Sequence, residues 1–160
     1  MLKDIANIIE NVKISANITL VTLYNTPVSN REKIFEKLAG NNINLDIISQ
    51  SPCFGGDITL SFSLPDKDTA KTLELAAAFK SEYNKTEINI SPNNLVISFS
   101  GAEIINTPGV AAKIFSEFSQ RGINIILIST SDVSVSCLIA GSDEVKAIKM
   151  LEEYELTYSN

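Results

Sequence analysis

An α+β fold built from two β-α-β-β-α-β units in tandem is what this sequence predicts, and two observations predict it. The stretch "KIFEKLAGNNINLDIISQS" (33–51) returns as "KIFSEFSQRGINIILISTS" (113–131), with eight identities in nineteen gapless positions at an offset of 80 residues. Around each copy the apolar pattern changes in the same succession, from strand-like runs to a helical period and back.

In the first copy "ITLVTLY" (18–24) is rich in β-formers and "NTPVSN" (25–30) is turn-like. Ile34, Phe35 and Leu38 then mark one face of a short helix, which Gly40-Asn41-Asn42 stops. "INLDIISQS" (43–51) and the alternating "DITLSFSL" (57–64) read as a hairpin joined by "SPCFGG". Asp66 or Asp68 can cap a helix carrying Ala70, Leu73, Ala77 and Phe79, and "TEINISP" (86–92) is a short last strand.

The second copy repeats this order. "LVISFS" (95–100) leads through "GAEIINTPG" (101–109) to a helix bearing Val110, Ile114, Phe115 and Phe118, followed by strands at 123–131 and 132–140. Ser142 can cap a helix with Val145, Ile148 and Leu151 on its apolar face. The final strand comes either from "ELTYS" (155–159) or from the N-terminal segment, roughly residues 5–14, crossing over. The expected organisation is an N-terminal segment at 1–15, a first domain at 16–92 and a second at 93–160, both ferredoxin-like sandwiches.

Composition bounds the function. Thirteen basic against nineteen acidic residues give a net charge of −6 without a basic cluster, so counterion release from nucleic acid has nothing to act on. Neither a leader peptide nor an apolar run near ~20 residues is apparent, so a cytoplasmic protein without membrane partners is expected. The chain has no histidine, which removes Cys–His nucleophiles and Cys/His zinc sites; no metal or cofactor is expected. Cys137, in the apolar "VSCLIA", reads as a small buried hydrophobe, and Cys53 as a loop residue without chemistry.

A specific resemblance appears in "TPGVAAKIFSEFSQRGINIILISTSDVSVSCLI" (107–139), which looks like the second ACT domain of the aspartate kinase regulatory region. "KIFEKLAGNNINLDIISQS", with Asp46 and Gln50, resembles that family's first ACT domain, and the likeness runs over about residues 16–153. The resemblance implies a tandem-ACT module that binds a free amino acid, lysine or threonine, and inhibits the kinase step committing aspartate to amino-acid biosynthesis. It implies no catalytic residues here, because nothing matches the family's lysine-containing, glycine-rich kinase start. The implied partners are the effector, a second copy of the chain in a homodimer, and an aspartate kinase catalytic chain.

The same resemblance places the ligand between the loop 25–30 of one unit and the strand start at 122–126 of another. Asn25, Thr26, Ser29 and Asn30 would line the first loop, and Gln50 would face the ligand. Pro108-Gly109 opens the second helix, where glycine allows close backbone approach and free N–H groups suit a carboxylate; the plain alternative is a simple turn. Asn124 and Ile125 would offer amide and backbone groups, though Asn124 also reads as a turn residue. The family carries an acid for the ligand's amine two residues before Pro-Gly; Thr26 stands there, with Val28 and Ser29 in place of Pro-Gly. An acid restored at Thr26 is therefore expected to tighten binding.

Two other readings come from different classes. An acyl-phosphate hydrolase on the same scaffold needs an arginine in a phosphate-cradling loop, and neither Arg31 nor Arg121 sits in a glycine-rich loop. A free-standing ACT pair serving dimerisation alone, without a functional ligand site, is the alternative that the degenerate first loop suggests.

Overall fold

The computed structural model describes residues 2–82 and 85–159; the outermost residues of the expected domain spans, Met1 and Asn160, lie outside them. The chain divides into two compact units, Asn17–Pro92 on one side and Met1–Ala16 with Asn93–Asn160 on the other. Seven strands and four α-helices are described: β1 (Asn11–Pro27), α1 (Arg31–Gly40), β2 (Ile48–Gln50), β3 (Asp57–Pro65), α2 (Thr69–Glu82), β4 (Glu87–Ser100), α3 (Val110–Gln120), β5 (Ile125–Ser131), β6 (Ser134–Ala140), α4 (Glu144–Glu153) and β7 (Tyr158–Ser159).

In the Asn17–Pro92 unit the strand order is β2-β3-β1-β4, with β3 antiparallel to both neighbours. Alternation along β3 sends Ile58, Leu60, Phe62 and Leu64 into the core, where they meet Ile34 and Leu38 of α1 and Phe79 of α2. Full burial of each such side chain contributes roughly 1.5–3 kcal/mol. α1 stops at Asn41-Asn42: both N–H groups fold back on the last turn, and Asn42 takes the left-handed conformation at φ 55°. Lys37 bridges to Glu82 of α2 and lies 5.3 Å from the centre of the Phe79 ring.

The hairpin of this unit is shorter on one side than the pattern predicts. β2 covers only Ile48–Gln50, because the Ser63 hydroxyl accepts the Ile47 N–H at 3.0 Å in place of a regular ladder bond. Asp46 N–H to the Ser63 carbonyl and Ser63 N–H to the Ile47 carbonyl still hold the segment against β3. The expected caps sit in 3-10 turns. Asp66 and Asp68 belong to the turn directly ahead of α2, with Asp68 in the position before the helix, and the Asp66 carboxylate accepts the Thr19 hydroxyl. Ser142 likewise lies in a 3-10 turn, Gly141–Asp143, and no side-chain bond caps α4.

In the other unit the order is β5-β6-β4-β1, with β7 running parallel along the far side of β1. Leu95, Ile97 and Phe99 of β4 and Val135, Cys137 and Ile139 of β6 pack under Ile114 and Phe118 of α3 and Ala147, Met150 and Leu151 of α4. Leu2, Ile5, Ile9, Val12 and Ile14 join the same core. Gly101 admits this segment: an added Cβ would stand 2.0 Å from the Ile8 carbonyl oxygen.

Beneath α3 lies a buried charge. Glu117 accepts the Leu2 N–H at 3.1 Å and pairs with Arg121 at 2.5 Å; Arg121 also pairs with Glu153 and stacks over Tyr154. Burial pushes the Glu117 carboxyl up, but the Leu2 N–H, the Tyr154 hydroxyl and Arg121 outweigh it and hold it below the usual carboxylate range.

Candidate ligand-binding site

The loop after β1 is shaped by a register break. Between Leu23 and Thr26 the pairing with β3 slips, and Asn25 takes up the extra residue in the left-handed conformation, φ 51°. Thr26 returns to register opposite Ile58 and is fully buried, its hydroxyl without a hydrogen-bond partner among the described residues. Val28 donates its N–H to the Gly56 carbonyl at 3.0 Å, tying the loop to the turn between β2 and β3. Ser29 is exposed and Asn30 half-buried in the 3-10 turn that leads into α1, where no side-chain bond caps the helix.

The uncapped N-terminus of α1 is donor-rich. Arg31, its first residue, donates to the Gln50 side-chain carbonyl at 3.0 Å, which leaves the Gln50 amide N–H groups directed elsewhere. A guanidinium at this end opposes the helix dipole, so the position favours an added anion such as a ligand carboxylate. Gln50 pairs with Leu60 in register and therefore shares the helix-covered side of the sheet. By sequence Arg31 is weighed only as a phosphate-binding arginine and set aside; a basic residue at a helix start is the signal that points to it here.

Asn25 faces a different place. With Ser51, Pro52, Asp57 and Thr59 it lines a cleft of about 170 Å³, and Asp57 and Thr59 alternate with the core residues Ile58 and Leu60, which puts them on the open face of the sheet. Asn25 and Gln50 are thus not brought together on one surface.

In the second unit Gly109 precedes α3 at φ 87°, a left-handed conformation that favours glycine, and both it and Pro108 are exposed. Asn124 is exposed, and Ile125 is half-buried opposite Ile139 at the second register break, between Ile125 and Leu127. The eleven residues of α3 separate these pairs by ~16 Å along the helix, so Pro108-Gly109 and Asn124-Ile125 lie at opposite ends of their unit. Among the described residues no cluster of acidic or cysteine side chains is placed to hold a metal. No helix among them is long and apolar enough to cross a membrane.

Comparison with known proteins assigns this architecture. Residues 97–154 match the family profile of the ACT domain. Over 155 residues, 95% of this chain, the sequence is 33% identical to an aspartokinase of Bacillus sp. (strain MGA3), and it spans 38% of that relative's length. A crystal structure of aspartokinase alpha and beta subunits contains a chain matched over 97% of its length and 91% of this one, at TM-score 0.81 and 28% identity. The regulatory subunit of aspartate kinase from Thermus flavus shares the fold, with TM-score 0.80 at 24% identity over 97% of that subunit. The described residues fold as an ACT module, and the chain belongs with the ACT-bearing regulatory regions of the aspartokinases.

Proposed function

We propose that this chain binds a free amino acid, lysine or threonine, and passes that signal to an aspartate kinase catalytic chain in the cytoplasm, acting as a homodimer of tandem ACT domains at 16–92 and 93–160. The observation that carries the reading is the match to an aspartokinase subunit chain over 97% of its length. The Arg31–Gln50 pair at the uncapped start of α1 supports it, because it supplies hydrogen-bond donors for a carboxylate. Isothermal titration with lysine, threonine and methionine tests the binding step, and adding the liganded chain to a purified aspartate kinase catalytic chain tests the coupling. Coupling in such systems is worth ~1–3 kcal/mol, a change of about five- to 150-fold in effector affinity between kinase states.

A second reading, an ACT pair that dimerises without a ligand, is favoured by one feature. Thr26 puts a buried hydroxyl, without a partner among the described residues, where the resembled family carries an acid. Absence of binding by every free amino acid, together with a dimer in sedimentation, would establish that reading instead.

A further inference from the structure

We infer that residues 2–10 form a strap that fixes the loop between β4 and α3, so that the start of the chain and the approach to Pro108-Gly109 open and close as one unit. Its use in signalling rests on the amino-acid-binding reading above; the coupling itself does not.

The strap is fastened at both ends within one compact unit. At its start the Leu2 N–H donates to the Glu117 carboxylate of α3 at 3.1 Å. Ile5 and Ile9 then enter the core that Ile104 and Val110 share. At its end Glu10 straddles Gly101: its N–H donates to the Ser100 carbonyl at 2.8 Å, and its carboxylate accepts the Ala102 N–H at 3.2 Å. Gly101 lets the two segments lie this close, since an added Cβ would stand 2.0 Å from the Ile8 carbonyl oxygen.

From that grip the loop continues as a run of turns, each closed on the one before. Ile104 donates its N–H to the Gly101 carbonyl at 3.2 Å, and Thr107 donates its own to the Ile104 carbonyl at 3.3 Å. The Thr107 hydroxyl adds a bond to the Glu103 carbonyl at 2.8 Å. Between Gly101 and Val110 only Ile104 is buried, and the turn Ala102–Ile104 that carries it packs against Ala6–Ile8 of the strap. Short turns with exposed hydrogen bonds have little opening free energy of their own, so this loop persists through what holds its ends. An effector that reshapes the turns therefore changes how firmly the strap is held, and by linkage a change in the strap reshapes the turns.

The test is residue-resolved native-state amide exchange. In the wild-type chain the N–H groups of Ile5, Ile8, Ile104 and Thr107 should share one opening free energy, lower than that of the α4 amides; unrelated values overturn the inference. Glu10→Ala removes an exposed side chain and should speed exchange at Ile104 and Thr107, neither of which it bonds, by about tenfold. Glu10→Gln keeps an acceptor oxygen and should stay near wild type. In return, Thr107→Ala should speed exchange at Ile5 and Ile8. Acceleration confined to Ala102 in the first variant, or to the loop in the last, overturns the strap. So does equal acceleration throughout α4, because strap and loop would then open only with the whole unit. The wild-type comparison stands even if the variants do not fold. None of these outcomes bears on whether an amino acid binds, which the titrations above decide separately.

Discussion

Glu117 accepts the backbone N–H of Leu2 at 3.1 Å across a separation of 115 residues. The bond fixes the start of the chain to α3 through a carboxylate only 1% exposed, and Arg121 balances its charge from the next turn of the helix. Removing one partner of such a group leaves the other desolvated and uncompensated, which costs more than the pair itself contributes.

Glu117→Gln should therefore destabilise the unit holding residues 93–159 by ~1.5–3 kcal/mol at pH 7. The sign with pH follows from the direction of the shift. Glu117 titrates below its unfolded value, so its contribution is complete above the ordinary glutamate range near ~4.3 and is lost as pH falls through the lower folded value. Urea midpoints for wild type and variant should converge as pH falls below the ordinary glutamate range. A gap that stays constant over that range would show that the carboxylate's charge is not what holds Leu2.

Gly101 and Gly109 should respond to alanine for different reasons. Gly101 is extended at φ 175°, so alanine is not strained there, but its Cβ would meet the Ile8 carbonyl oxygen at 2.0 Å. Gly109 has open space around it and φ 87°, so alanine meets only backbone strain, of order 1–3 kcal/mol. Gly101→Ala should expose the N-terminal segment to proteolysis and amide exchange, whereas Gly109→Ala should lower the melting temperature without doing so. Equal protection of residues 2–14 in both variants would contradict this contrast.

Both helix–strand repeats were legible in the sequence because burial imposes a period: Ile34 and Leu38, like Ile114 and Phe118, are among the residues that α1 and α3 bury. The long strands were not legible. Asn17 and Asn93 adopt left-handed conformations, φ 57° and 58°, inside β1 and β4, and an asparagine of that kind reads as a boundary although the strand resumes beyond it. The short β2 depended on one hydroxyl, Ser63, whose bond to Ile47 no periodicity encodes. At the site, the first loop was visible as turn chemistry. The cleft that Asn25 shares with Asp57 was not, since only the register of β3 on β1 forms it.

The two free cysteines report on opening of the second unit. Cys53 is exposed and should react at once with a thiol reagent. Cys137 is fully buried, and burial pushes its thiol up to about 12, so almost no thiolate exists at pH 8 even where reagent could reach it. One equivalent should react in the native chain, and the second only at the rate at which the unit around β6 unfolds. Rapid reaction of two thiols in the native chain would contradict the packing of β6.

Thr26 offers the sharpest contrast between the sequence reading and the structure. By resemblance, an acid at this position was expected to tighten amino-acid binding, but Thr26 is 0% exposed and pairs in register with Ile58, whose side chain belongs to the core. Aspartate here would bury a carboxylate without a partner, a change that costs several kcal/mol or forces the group to stay protonated. Thr26→Val, by contrast, removes a hydroxyl that makes no hydrogen bond among the described residues and keeps the β-branched shape that suits a strand. Relief of that desolvation should stabilise the Asn17–Pro92 unit by ~1 kcal/mol or more. Urea unfolding of wild type, Thr26→Val and Thr26→Asp should rank them valine, threonine, aspartate from most to least stable, with the aspartate variant gaining stability as pH falls toward ~4 and its carboxyl protonates. If aspartate is tolerated at pH 7 without loss, the loop rearranges to bring residue 26 to solvent, and the burial of Thr26 does not decide what stands there.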